Sequence, residues 1–148
     1  MKNKFLAVLL VIAAAFTACK KDKVQAPEEK TLPSGKYRLI EMVQSDAAGK
    51  DSVSTKYPVS SLSLTFDQDK KTANVSGKPE ILQITGSYNV KSDEVLADAK
   101  VSTSRNVPGE NDLNVADLLS AGEKYELKGG SVIIHAKNKG FLVFSMQK

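Results

Sequence analysis

Short alternating apolar runs separated by turn residues begin at Gly35, and they constrain the fold more than any other feature of the chain. The pattern is clearest in residues 124–128, 131–136 and 141–146, which are separated by a Gly-Gly pair and a polar turn. Period-2 alternation indicates a strand with one buried face, and Gly-Gly suits a tight hairpin with positive φ. These segments therefore predict a three-strand antiparallel meander. We expect one core-facing set from it: Tyr125, Leu127, Val132, Ile134, Leu142, Phe144 and Met146.

The same pattern occurs earlier in the chain. The first strand is expected just after Gly35, with Tyr37 and Leu39 on one face and Ile40 and Met42 on the other. Residues 61–66 alternate serine or threonine with large apolar residues, and residues 81–90 form a further strand. Within that strand, Gly86 indicates a bulge or the close approach of a neighbouring backbone.

One helix is predicted after Pro108, with acidic residues in its first turn and Gly122 at its end. About eight short strands spaced by turn signals accompany it. The predicted fold class is therefore mostly β with one helix (α+β), arranged as a small antiparallel barrel or closed sheet of about eight strands.

The first 18 residues have the parts of an export signal. Lys2 and Lys4 precede an apolar run over residues 5–16, and small residues follow it. The apolar run is shorter than the roughly 20 residues that a membrane-spanning helix needs. We therefore expect residues 1–18 to be a lipoprotein signal peptide, cleaved between Ala18 and Cys19.

Cys19 is the only cysteine in the chain, so no disulfide can form within it. A catalytic thiolate would need a lowered pKa and a pocket, which a lysine-rich linker does not offer. Residues 16–19 (FTAC) resemble the bacterial lipobox. That resemblance implies a diacylglycerol and an N-acyl chain on Cys19, and several acyl chains anchor a protein stably to a membrane. The following residue is Lys20 rather than aspartate, which by the same resemblance favours the outer membrane.

Residues 19–34 are polar, charged and interrupted by proline, which is typical of a flexible tether. The lysines after Cys19 either lie against anionic headgroups or belong to a solvated basic linker. Because this stretch lacks an acidic export tag, the periplasmic face is favoured over the cell surface. Residues 35–148 form the predicted β domain.

Several short motifs of that domain resemble the META domain of the heat-inducible lipoprotein type and lipocalin-like bacterial lipoproteins. They are GKYRL at residues 35–39, LTF at 64–66, VSG at 75–77, GSY at 86–88, and the helix and closing hairpin at 118–144. The resemblance implies a compact β-rich domain without established catalytic residues. The cysteines of that family's folded domain are absent here.

Catalytic and metal-binding motifs are weak. His135 is the only histidine and is expected to face away from the core, and the folded part has no thiol, so no transition-metal ligand set is predicted. Asp67 and Asp69 are better explained as turn residues than as calcium ligands, because the EF-hand pattern is missing. The charges are interleaved, which does not favour a nucleic-acid partner.

The sequence thus favours a non-enzymatic lipoprotein of the cell envelope that binds other envelope components. The alternative is a carrier of a small apolar ligand, since an eight-stranded barrel can enclose one. Tyr37, Phe66, Tyr88 and Phe144 would line such a pocket, or they would simply fill the core. A hydrolase that uses surface carboxylates is a third hypothesis. No cofactor besides the acyl groups is predicted, and the oligomeric state is left open.

Overall fold

The computed structural model describes residues 31–46, 48–104 and 107–148. The predicted signal peptide, the cleavage site at Ala18 and the lipidation of Cys19 lie outside the described residues.

Nine strands, a short 3-10 turn and one helix make up this part of the chain. They are β1 (Lys36–Ser45), β2 (Asp51–Lys56), β3 (Ser63–Asp67), β4 (Thr72–Gly77), β5 (Ile84–Val90), the 3-10 turn (Ser92–Glu94), β6 (Leu96–Thr103), α1 (Glu110–Ser120), β7 (Gly122–Lys128), β8 (Ser131–Ala136) and β9 (Gly140–Met146).

All neighbouring strands pair antiparallel in the order β6-β5-β4-β3-β1-β9-β8-β7. Two strands pair with the same edge of β1. Its first residues pair with β3, and residues 41–45 pair with β2. The sheet curls until its two outer strands approach, and a single bridge joins Val95 to Lys124. The prediction of a mostly β, barrel-like sheet with one helix is confirmed.

The core fills the inside of the curled sheet. The meander prediction is confirmed for five of its seven core residues, but Leu127 and Met146 are about half exposed. Both lie at the tips of their strands, where the neighbouring turns leave them open to solvent. The prediction for Met42 is also wrong. A bulge in β1 between Leu39 and Glu41 shifts the alternation, so Met42 is buried on the same side as Leu39.

The helix packs against β6, β8 and β9. Its apolar side buries Val115, Leu118 and Leu119. The helix ends at Ser120, Ala121 caps it, and Gly122 begins β7. A Cβ atom at Gly122 would lie 3.2 Å from the Tyr88 ring and 3.1 Å from Ile134, so a small residue lets the chain turn close to the core. Among the described residues, no helix has the length and apolar character needed to cross a membrane.

The two ends of the sheet can be told apart by the strand register. The turns at 68–71, 91–95 and 129–130 lie at the end where the chain enters β1, which we call the tether end. Leu32, which the sequence placed in the flexible tether, is held there, because its backbone N–H and C=O bond to the side-chain amide of Gln68. Pro33 is buried. At the opposite, distal end lie the connection between β1 and β2, the loops at 57–62 and 78–83, the connection between β6 and α1, and the turn at 137–139.

Candidate interaction surface

Three segments of the distal end present exposed apolar side chains. They are the loops at 57–62 and 78–83 and the start of the helix at 107–113. Four aliphatic side chains on them are exposed: Val59 (88%), Ile81 (58%), Val107 (89%) and Leu113 (50%). We call these four residues the distal surface. Single exposed aliphatic residues are common, but several on adjoining segments are typical of a binding surface.

Asp112 joins the helix to the loop at 78–83. Its side chain is fully buried. One carboxylate oxygen, Oδ1, accepts a hydrogen bond from the backbone N–H of Glu80 at 3.0 Å, and Oδ2 accepts from Ile81 at 3.2 Å and Leu82 at 3.1 Å. Hydrogen bonds to a charged acceptor are stronger than neutral ones. The carboxylate therefore fixes the position of Ile81 relative to Leu113, the residue that follows Asp112 in the helix.

Two serines join the loop at 57–62 to the loop at 78–83. The backbone C=O of Lys78 accepts hydrogen bonds from the N–H groups of Ser61 at 2.9 Å and Leu62 at 3.0 Å. It also accepts from the Ser60 hydroxyl at 3.1 Å, and the Lys78 N–H donates to the Ser61 hydroxyl at 3.1 Å. The loop that carries Val59 is thus joined through backbone hydrogen bonds to the loop that carries Ile81.

A polar rim accompanies these aliphatic side chains. Asn111 donates from Nδ2 to a carboxylate oxygen of Glu80 at 3.2 Å. Beneath them, burial raises the pKa of Tyr57 well above its ordinary value, and the nearby carboxylates of Glu80 and Asp112 raise it further. The Tyr57 phenol is therefore neutral over the physiological range, and its hydroxyl points at the Met42 sulfur, 3.9 Å away.

The four aromatic residues singled out in the sequence lie in or against the hydrophobic core. Tyr37, Tyr88 and Phe144 are at most 3% exposed, and Phe66 packs on the core with its ring centroid 5.1 Å from that of Tyr125. The Tyr37 hydroxyl donates to the backbone C=O of Ser34 at 3.0 Å, and the Tyr88 hydroxyl donates to that of Leu119. Their polar atoms are thus used within the fold.

Two surface clefts are described, and none of these four aromatic residues lines either of them. A cleft of 380 Å³ on the outer face of the sheet is lined by Arg38, Ile40 and residues 145–148. A cleft of 220 Å³ lies between the helix and the turns at 44–46 and 138–139. There the Lys139 ammonium bonds to both carboxylate oxygens of Asp117 at 2.7 Å. Both clefts are mainly polar.

The remaining candidate residues have structural surroundings. The Asp67 carboxylate accepts hydrogen bonds from the N–H groups of Asp69 and Lys70, which also lower its pKa, as predicted for a turn residue. His135 faces away from the core, as predicted, and its Nε2 lies 3.2 Å from a carboxylate oxygen of Glu126. Within the described ranges, no group of three or more histidine, aspartate or glutamate side chains could hold a metal ion.

Sequence reasoning missed the distal surface and its buried Asp112. Val59 and Ile81 stand in turn-rich stretches just after Pro58 and two residues after Pro79, and an apolar side chain in such a loop is a usable signal. Asp112 gives no signal of this kind. An acidic residue in the first turn of a helix is expected for the helix dipole alone, and burial cannot be inferred from that.

No protein-family model and no curated protein matches the sequence. Among solved structures, a DUF4847 family protein from Bacteroides vulgatus is similar, with a TM-score of 0.48 and 14% identity. The similarity covers 78% of this chain and 94% of that chain. The resemblance to the META domain stays a prediction.

Proposed function

We propose that this protein is a lipid-anchored lipoprotein of the cell envelope, in the outer membrane and on its periplasmic side, whose β domain binds a partner protein without catalysing a reaction. The lipobox-like FTAC sequence supports the anchor. The binding role rests on one observation. The segments that carry the exposed Val59, Ile81 and Leu113 are joined to one another by the buried Asp112 carboxylate and by the Lys78 carbonyl.

A preformed apolar surface is suited to protein binding, because little conformational entropy is lost when a rigid site is occupied. The polar rim of Glu80 and Asn111 fits this use, since interfaces commonly surround an apolar centre with polar groups. The alternative of an apolar-ligand carrier has less support, because Tyr37, Tyr88 and Phe144 are core residues and both described clefts are mainly polar.

In-cell cross-linking of the anchored protein tests the binding role. The triple variant Val59→Ser, Ile81→Ser and Leu113→Ser is expected to lose protein neighbours that the natural chain captures. The matched control is Val95→Ser, Leu127→Ser and Met146→Ser, which removes three partly exposed apolar side chains from the tether end. An identical set of neighbours for both variants and the natural chain would refute the distal surface as the binding site.

The anchor has its own test. Cells supplied with labelled palmitate should incorporate it into the natural chain and not into Cys19→Ser. The variant should also be released from the membrane fraction, because the acyl chains supply the attachment.

A further inference from the structure

Lysines surround the tether end. Six lie in its turns or at its strand tips, and all are exposed: Lys36, Lys70, Lys71, Lys91, Lys128 and Lys148. Four acidic residues belong to the same turns and tips: Asp67, Asp69, Asp93 and Glu94. The tether end therefore has a formal excess of two positive charges.

Several of these lysines are not engaged in ion pairs. At other positions, Lys56 lies 2.6 Å from Glu41, and Lys139 lies 2.7 Å from Asp117. At the tether end, Lys70 lies 3.6 Å from Asp67. Within the part of the chain that the structure describes, Lys36, Lys91 and Lys128 have no salt bridge. Their charges can therefore act on a partner outside the domain.

The attachment of the chain determines what that partner is. Leu32 is hydrogen-bonded to Gln68, so Thr31, where the described chain begins, lies at the tether end. With the anchor of the proposed function at Cys19, on which this inference rests, about twelve residues connect lipid and domain. They span at most about 40 Å when fully extended. The tether end is thus the part of the domain kept closest to the membrane.

We propose that the tether end is a lipid-contacting face whose lysines bind anionic headgroups and hold the distal surface away from the membrane. A lysine near an anionic bilayer strengthens binding by roughly fivefold. Screening restricts this effect to charges within about 8 Å of the surface at physiological ionic strength. The tether raises the local concentration of lipid, so a weak attraction is enough to orient the domain.

A dye placed on each end of the acylated protein tests the orientation. Because Cys19 is the only cysteine and is acylated in the proposed form, Asp69→Cys or Val59→Cys can be labelled alone with a polarity-sensitive fluorophore. On vesicles containing phosphatidylglycerol, the dye at position 69 should shift to the blue relative to pure phosphatidylcholine vesicles, and high salt should reverse the shift. The dye at position 59 should not respond. An unchanged spectrum at position 69, or the same shift at both positions, would overturn the proposal.

Lysine variants separate specific contact from general charge. Lys36→Gln, Lys91→Gln and Lys128→Gln together should abolish the shift. The matched control of Lys50→Gln, Lys78→Gln and Lys137→Gln, which removes three exposed lysines elsewhere, should leave it intact. If both variants lose the blue shift equally, the shift depends only on the net charge of the protein. That result would contradict a lipid-contacting face. The same shift on phosphatidylcholine vesicles with inorganic phosphate would also contradict it, since free anion would then be the ligand.

Retention on pure phosphatidylcholine vesicles reports the anchor separately. If the chain is not retained on these vesicles, the lipoprotein proposal is contradicted. Binding of anionic lipid by the tether-end lysines can still be measured. Cosedimentation of that chain with phosphatidylglycerol vesicles should then be salt-sensitive and roughly 100-fold weaker in the tether-end lysine variant. Binding that is equal in that variant and the natural chain would refute the lysine face.

Discussion

The distal end and the tether end are opposite ends of one antiparallel sheet, but the connections between strands differ at the two ends. At the distal end, the loops at 57–62 and 78–83 are joined to each other through the Lys78 carbonyl and to the helix through Asp112. The tether end consists mainly of short separate turns, such as Gly129-Gly130, rimmed by exposed lysines. Apolar loops joined by hydrogen bonds suit recognition of one protein surface, whereas exposed lysine side chains suit a charged membrane. The predictions below test this contrast.

The largest difference between the two ends is expected in the loss of folding stability when a glycine at each end is replaced by alanine. A Cβ at Gly77, where φ is +133°, would overlap the backbone of Ser61 and Leu62, whereas a Cβ at Gly129 would meet nothing within 4 Å. Gly77→Ala should lower the free energy of unfolding by roughly 3–5 kcal/mol, and Gly129→Ala by about 1–2 kcal/mol for its positive φ alone. Urea denaturation of both variants measures the difference. Equal losses would show that the distal loops are no more tightly packed than the tether-end turns.

Removal of the buried carboxylate should have the next largest effect. Asp112→Ala leaves three backbone N–H groups without their acceptor and should cost about 3 kcal/mol of folding stability. Asp112→Asn keeps one acceptor oxygen and should lose less. The comparison at the tether end is Asp67→Ala, which should lower the urea midpoint less than Asp112→Ala, because the Asp67 carboxylate is partly open to water and Asp112 is fully buried. A larger loss for Asp67→Ala would contradict the assigned role of Asp112.

Alkaline pH should lower the folding stability through Tyr88, which holds the last turn of the helix. The distal end depends on that helix. Burial raises the pKa of Tyr88 well above the ordinary 10.0, and its hydroxyl donates to the last turn of the helix. Above pH 10 the unfolded chain releases this proton and the folded chain retains it, so stability falls as pH rises. The slope approaches about 1.4 kcal/mol per pH unit for this group. Tyr88→Phe should show a shallower decline in thermal unfolding between pH 10 and 11, and an identical slope would contradict this.

The smallest effect is expected at an exposed ion pair. The hydrogen bond from Lys56, with a second from Ser54, lowers the pKa of Glu41. This contribution is present at neutral pH and is lost as pH falls through the folded-state pKa. Glu41→Gln should cost only a few tenths of a kcal/mol, because the pair lies at the surface and its Lys56 side is exposed to solvent. Thermal unfolding at pH 7 and pH 3 measures this effect, and the difference between the variant and the natural chain should be smaller at the lower pH.

The sequence predicted the strands better than the surface they support. Period-2 alternation identified β8 and β9, and Gly86 was correctly expected at a close backbone approach, since a Cβ there would lie 3.1 Å from the Lys100 carbonyl oxygen. The bulge that buries Met42 was not predicted, because an irregularity in pairing depends on the partner strand β9. Asp112 was not predicted for a similar reason. Its three donors lie about 30 residues away in sequence, and only the folded topology brings them together.

Site-specific photo-cross-linking of the full-length protein in cells tests the central claim most directly. A photoreactive residue placed at Ile81 should form links to protein, and one placed at Asp69 should form links to lipid. The probe at Ile81 should form fewer links to protein in the Asp112→Ala variant, because its loop then loses the carboxylate that holds it. Lipid adducts at Ile81 together with protein adducts at Asp69 would reverse the proposed orientation and contradict the account.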